Sequence, residues 1–307
     1  MSNQSEIKPL AHKLFSGDWG KEPEPKLGTK PILGDRYTSR EFMSLEWEKM
    51  WTKVWQVAGL EQQVKNPGDF FTFDFGPESI ICARGEDQKV RCFYNVCQHR
   101  GNQLVQIDEG NLESFSCAYH AWKFGLDGKL NWVPDEEDFS QGSPCGKRNL
   151  IEIKSEVWQG FIFFNLDDNS KPLRDFLYPI MDHLEDYPVS EMIRTHWVTV
   201  EGDWNWKCVQ DNFNESYHTP YVHPALKYYA EEKYHACQFD MYESMHSRML
   251  MPGFMPSESV IDDEDKVIEM IAPHIEYWDM KAEDYRGRLL DIRGDLQKQK
   301  RKLDKEK

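Results

Sequence analysis

The sequence predicts an α+β protein, with an antiparallel β domain followed by a region that is helical and then mixed. Three observations predict it. From Gly68 the pattern turns to short runs rich in β-branched and aromatic residues, FFTFDF at 70–75, SIICAR at 79–84 and VRCFYNV at 90–96. These runs are separated by GP and GED turn signals, and the series continues through ESFSC, KFGLDGKL with its DG turn, and WQGFIFFNL. After DDNSKPL at 167–173 the strand-like runs stop and helical spacing returns.

The elements follow in order. The first 35 or so residues are polar, with EPEPKLGTKP in their midst, and read as an extended arm. TSRE at 38–41 is a capping-box signature, and Phe42, Leu45, Trp51, Val54 and Trp55 recur at roughly helical spacing, which predicts a helix from Ser39 to Lys53. Short strands with tight turns fill residues 60 to 166. MIRTHWVTVEG at 192–202 reads as a further strand. A helix follows it, with Asp203 as the expected N-cap and Trp206, Val209, Gln210 and Phe213 on one face. Near the end, Leu289, Ile292, Leu296 and Leu303 make the apolar stripe of a highly charged helix.

Composition narrows the function classes. With 307 residues, 39% hydrophobic and 13% aromatic, the chain can bury a substantial core. A net charge of −16 excludes nucleic acid as the expected partner, because phosphate binding needs a basic surface. The N-terminus has no signal-peptide run, and the longest apolar stretches, such as GFIFF at 160–164, are too short to span a bilayer. The expectation is a cytoplasmic protein with no membrane attachment. Seven cysteines in a reducing compartment speak against a disulfide framework and leave metal ligation open.

Cys97 and His99 form C-x-H, and Cys117 and His120 form C-x-x-H, both at strand ends of the β domain. Two thiolates and two imidazoles suit zinc or an iron–sulfur centre. Zinc fingers usually group two cysteines on a turn and two histidines on a helix, whereas here each loop supplies one of each. That fits a [2Fe–2S] cluster with two cysteines on one iron and two histidines on the other. Structural zinc, or core residues falling this way by coincidence, are the alternatives. Arg100 and Gly101 directly follow the first pair, and Trp122 lies two beyond the last ligand, where it can shield a cluster from water. The stretch CQHRGNQL…CAYHAWKFGLDGKL resembles the Rieske domain of the Rieske non-haem iron oxygenases, in their terminal oxygenase α subunit. Ala118 and Ala121 stand where Pro and Gly are common in that family.

The second constellation is DNFNESYHTPYVH at 211–223. His218 and His223, five apart, lie about 140° apart on an ideal helix, so one straight helix does not converge them. Pro220 and Pro224 predict a break that brings them together, and Glu215 falls on the face of His218. Two histidines with a carboxylate fit the start of a 2-His-1-carboxylate iron(II) site. The stretch resembles the iron motif that follows the Rieske domain in the same oxygenases. The resemblance implies iron ligation by His218 and His223. It also implies that Glu215 bridges His218 to His120 of a neighbouring subunit in a trimer. Glu215 replaces the commoner Asp, as it does in members acting on quaternary amines. Asp211, Asn212 and Tyr217 match positions around the iron.

The whole resemblance implies a Rieske antiparallel β domain joined to a helix-grip (START-like) α+β catalytic domain, the latter incomplete. The expected division is an N-terminal arm at 1–38, a helix at 39–58 belonging with the catalytic domain, the Rieske domain at 59–166 and a partial catalytic domain at 167–307. It implies an oxygenase that takes electrons from NAD(P)H through a partner reductase or ferredoxin. These pass through the [2Fe–2S] cluster to a mononuclear Fe(II) that activates O2 beside a small organic, aromatic substrate. A quaternary-amine monooxygenase is the alternative, as is an electron-transfer protein without catalysis. A homotrimer is expected, with or without a β subunit. The family's third iron ligand is an Asp well downstream; Asp262, Asp263, Asp279 and Asp284 lack its context, so a C-terminally truncated chain is expected. Phe213, Met251 and Phe254 are the candidate pocket residues.

Overall fold

Alternation with apolar residues on both faces builds the first of two units, Ser39–Val200. The structure, a computed structural model, describes residues 28–306 apart from 186, 234, 235 and 243. Most of the expected arm lies outside the described residues.

The strands of the first unit are β1 Gln56–Leu60, β2 Asp69–Phe75, β3 Glu78–Arg84, β4 Val90–Tyr94 and β5 Glu109–Asn111. They continue with β6 Phe115–Ser116, β7 Lys123–Phe124, β8 Leu130–Trp132, β9 Glu152–Trp158 and β10 Phe161–Asn165. Seven of them form an antiparallel sheet in the order β1-β10-β9-β4-β3-β2-β5, and β6-β7-β8 form a small second sheet. Consecutive residues divide between two cores. Phe70, Ile81 and Phe93 pack with Phe115, Phe124 and Leu130 of the small sheet. Phe71, Ile80, Cys82 and Cys92 pack on the other face with Ile162 and Phe164. Cys97, Cys117 and Trp122 belong to the first of these cores, so both Cys/His loops are rooted in packed protein.

The expected first helix forms as α1, Arg40–Glu46, and runs into one π-helical turn, Trp47–Trp51. Its cap is Ser39, one residue later than the motif placed it: Ser39 Oγ accepts the Phe42 N–H at 3.1 Å. This segment packs with the β unit. The Trp47 and Trp51 rings lie 5.3 and 6.2 Å from Phe75, and such aromatic pairs add to simple burial. Gly76 makes the approach possible, since a Cβ there would meet the Trp47 ring at 2.3 Å. Two short helices, α2 Leu173–Leu177 and α3 Ile180–Leu184, follow the sheet.

The strand expected at 192–202 does not form. Strands exist through their ladder hydrogen bonds, and among the described residues this stretch pairs with none, leaving Ile193, Trp197, Val198 and Val200 exposed.

In the second unit, described from residue 28 to 38 and from 201 to 306, the expected helix is α4, Trp206–Phe213. Its N-cap is Asn205, whose side chain accepts from the Lys207 N–H at 3.0 Å, and not Asp203. Next come α5 Thr219–Val222 and a hairpin of β11 Gln238–Met241 with β12 Ser247–Leu250. The helices α6 Glu264–Ile275 and α7 Ile292–Glu306 close on a core with Ile271 and Ile275 that takes in Leu289, Ile292 and Leu296 of the expected stripe, while Leu303 is only part-buried and lies outside it. The α+β class is as predicted. No described helix is long and apolar enough to cross a membrane.

Candidate metal centres

The two Cys/His loops are geometric twins although one reads C-x-H and the other C-x-x-H. Cys97 N–H donates to Asn102 O at 2.8 Å, and Cys117 N–H donates to Trp122 O at 2.9 Å, five residues on in each case. Gly101 N–H and Ala121 N–H return to the carbonyls of Cys97 and Cys117 at 3.0 and 2.9 Å. Both closing residues are left-handed, Gly101 at φ 75° and Ala121 at φ 57°. An L-residue there costs about 1–2 kcal/mol, partly offset by the smaller backbone entropy that alanine loses. Ala121→Gly should therefore raise thermal stability by about 0.5–1 kcal/mol, whereas the β-branched Ala121→Val should lower it. Equal melting points for the three proteins would refute the loop geometry.

The twin turns put the four side chains at one end of the unit. The two thiols are close enough to influence each other, and the backbone N–H groups of His99 and Arg100 act on Cys97 as those of Tyr119 and His120 act on Cys117. Burial pushes the Cys97 thiol up, while those N–H groups, with the Asn102 amide, bring Cys117 down despite its burial. The cysteines are 2% and 3% exposed, whereas His99 lies at the surface and His120 is part-buried. The two imidazole rings are 4.7 Å apart, and Trp122 stacks on His99 at 4.6 Å with only 11° between planes. Burial, then the charges of His120, Arg100 and Arg148, holds His99 below its ordinary pKa, favouring the neutral imidazole a metal needs. Thiols paired inside and imidazoles paired outside suit a two-iron cluster with sulfur on one iron and nitrogen on the other. The residues present fit that group.

In the second unit, α5 is one turn long, with His218 at its N-cap and His223 ending it in a non-helical conformation. The expected break therefore occurs, and it brings the two rings to 5.4 Å. Glu215 grips the first histidine twice: Oε1 meets His218 Nδ1 at 2.5 Å and Oε2 accepts the His218 N–H at 3.1 Å. A proton on Nδ1 leaves Nε2 free to bind a metal. Burial works to raise the Glu215 carboxyl, but the hydrogen bonds from His218 and the Tyr217 backbone outweigh it and hold the group below its ordinary value. Among the described residues no three His, Cys, Asp or Glu side chains converge on one metal ion. Two imidazoles can hold an iron in part.

Other expectations fare unevenly. Asp211 accepts from Tyr37 OH at 2.6 Å, so it braces residues 35–38. Tyr217 is 85% exposed and Phe213 69%, and Phe254 packs near Tyr229 in the C-terminal core. None of Phe213, Met251 and Phe254 lines the 500 Å³ cavity beside Glu215, whose walls include Tyr217, Tyr221, Glu232, Phe239 and Met241. Glu232 was not foreseen. It is buried, its Oε1 accepts from Ser257 Oγ at 3.1 Å, and its Oε2 has no hydrogen-bond partner among the described residues. Asn95 and Asn102, which brace the first ligand loop, were also missed; a lone amide carries no spacing by which to find it.

Comparison with known proteins adds two family matches. Residues 54–147 match the Rieske [2Fe-2S] domain, and residues 189–288 match the catalytic domain of the ring hydroxylating alpha subunit. The carnitine monooxygenase oxygenase subunit of Escherichia coli K12 is 32% identical over 234 residues, 75% of this chain and 60% of that protein. The chloroplastic choline monooxygenase of Spinacia oleracea is 32% identical over 217 residues, 68% of this chain and 47% of that protein. Among solved structures, the quaternary ammonium Rieske monooxygenase CntA with L-carnitine superposes with a TM-score of 0.61 at 26% identity, covering 72% of this chain and 61% of that one. This chain thus spans about 60% or less of the length of these curated relatives. Both curated relatives are named for quaternary amines, so the expected breakdown of aromatic hydrocarbons gains no support from them.

Proposed function

The chain belongs to the Rieske non-haem iron oxygenases, as an oxygenase α subunit, and on that premise we propose that it relays electrons to an iron centre that oxidises a quaternary-amine substrate. Cys97 and Cys117 would hold one iron of the [2Fe–2S] cluster and His99 and His120 the other, while His218 and His223 would hold the mononuclear iron. When bound, the two centres supply one-electron storage and O2 activation. The observation that carries this reading is the pairing of buried thiols beside outward imidazoles in twin loops.

The chain's own residues do the positioning. Trp122 covers one face of His99 and keeps water from that side of the cluster site. Glu215 fixes the tautomer and orientation of His218, and its carboxylate can accept a second imidazole N–H, which suits a bridge to His120 of the partner subunit in a trimer. NAD(P)H would act through a partner reductase or ferredoxin docking at the histidine end. We place the arm at 1–38, with Rieske and catalytic parts meeting near 166.

The substrate class follows from the cavity beside Glu215. Tyr217, Tyr221 and Phe239 offer aromatic faces, and Glu232 offers a carboxylate oxygen without a partner. Aromatic rings and a desolvated carboxylate attract an ammonium without needing an N–H donor from it. Lys233 Nζ, 4.0 Å from Glu232 Oε1, tempers that charge. Glu232→Gln should weaken binding of a trimethylammonium compound such as choline by about tenfold, roughly one charge interaction, and leave an uncharged isostere unaffected. Equal losses for both ligands in a calorimetric titration would move the substrate elsewhere.

A second reading is electron transfer through the cluster without oxygenation. One experiment separates the readings: iron, sulfide and zinc per chain on anaerobically purified protein, with EPR after reduction. Three irons and two sulfides with a Rieske signal support the oxygenase. Two irons with that signal support electron transfer alone, and zinc without a signal ends both.

A further inference from the structure

The two ligand loops differ in one contact. Cys117 meets a side chain from the other loop: Asn102 Nδ2 lies 3.8 Å from its Sγ. The orientation of that amide is set by chemistry. Asn102 Nδ2 also donates to Gln103 O at 2.7 Å, and a carbonyl can only accept, so the NH2 end must face it. The second proton of the same NH2 is then available to sulfur. Asn102 is itself held, because its own carbonyl accepts the Cys97 N–H at 2.8 Å. The residue thus ties one ligand loop to the thiol of the other.

From this geometry we infer that Asn102 is a positioning residue that raises the reduction potential of the cluster by donating an N–H···S hydrogen bond to Cys117. This rests on the cluster assignment above. Reduction adds one electron from the donor protein, breaks no bond and places more negative charge on the cluster and its cysteine sulfurs. A hydrogen bond to sulfur strengthens as that charge grows, so it favours the reduced state. The bond is partly exposed and long, so the effect is modest.

The test is the midpoint potential of the full chain, titrated with dithionite and followed by EPR. Asn102→Ala and Asn102→Leu remove the donor and should make reduction about threefold less favourable, a drop of about 28 mV at 59 mV per tenfold for one electron. Asn102→Gln keeps the amide on a longer arm and should recover part of the shift. A merely structural role would change cluster content while leaving the potential of the remaining clusters at the wild-type value. Unchanged potentials with an intact Rieske signal would therefore overturn the inference and spare the cluster assignment. No Rieske signal in the wild-type protein would overturn both. Should the variants lose the cluster altogether, the wild-type protein labelled with ¹⁵N in asparagine side chains decides: pulsed EPR of the reduced cluster should show coupling to an amide nitrogen, and its absence counts against Asn102.

Discussion

Glu215→Gln should weaken divalent-metal binding at the His218–His223 pair by about ten- to a hundredfold, while the EPR signal of the cluster stays unchanged. The carboxylate accepts twice from His218, at the ring nitrogen and at the backbone N–H. Glutamine has one oxygen and one NH2 in the same places. If its oxygen keeps the ring, its NH2 faces the backbone N–H, and two donors oppose each other. If it turns over, the ring must accept at Nδ1 and carry its proton on Nε2, where a metal would bind. Either way the charge-assisted contact is gone. Titration of the iron-depleted protein with Fe(II) or Co(II) reads the affinity directly. An affinity within threefold of the wild type would mean that the hydrogen bond leaves the histidine's readiness for a metal unchanged. Glu215→Asp, shorter by a methylene, should fall between the two proteins.

The β unit was legible because the two-residue period leaves a mark on its longer strands. FFTFDF, SIICAR and VRCFYNV put alternate residues into two cores, and both faces being buried explains why the runs are so densely apolar. The two Cys/His loops stand out in the sequence because metal chemistry restricts residue type and spacing together. What periodicity cannot encode was missed. The packing of Trp47 on Phe75 joins residues far apart in the chain, and no local pattern announces it. The stretch 192–200 has strand composition but meets no ladder partner, and composition alone does not make a strand. The break between His218 and His223 was legible from Pro220 and Pro224, since proline acts through the local backbone. Glu232 was not, because a buried carboxylate becomes visible only when its neighbours are known.

His99→Cys should lower the midpoint potential of the cluster by ~120 mV or more, about half the gap between the low end of Rieske potentials and those of all-cysteine plant-type clusters, because His120 stays in place. A neutral imidazole would give way to a thiolate, and the added negative charge resists a further electron. The variant is testable because His99 is not part of the packing that holds the loops. Its ring is exposed, while Cys97, Cys117 and Trp122 are rooted in the core with Phe115 and Phe124. The closing hydrogen bonds of the loop run from Cys97 to Asn102 and from Gly101 to Cys97, and none uses the His99 side chain. What is lost is the stacking on Trp122, so that indole should become more accessible to fluorescence quenchers. The EPR signal should move towards that of an all-cysteine cluster, with two irons retained. A potential within a few tens of mV of the wild type, with the Rieske signal intact, would remove His99 from the ligand set. The twin-loop geometry would then have to be explained without a metal bound at its outer end.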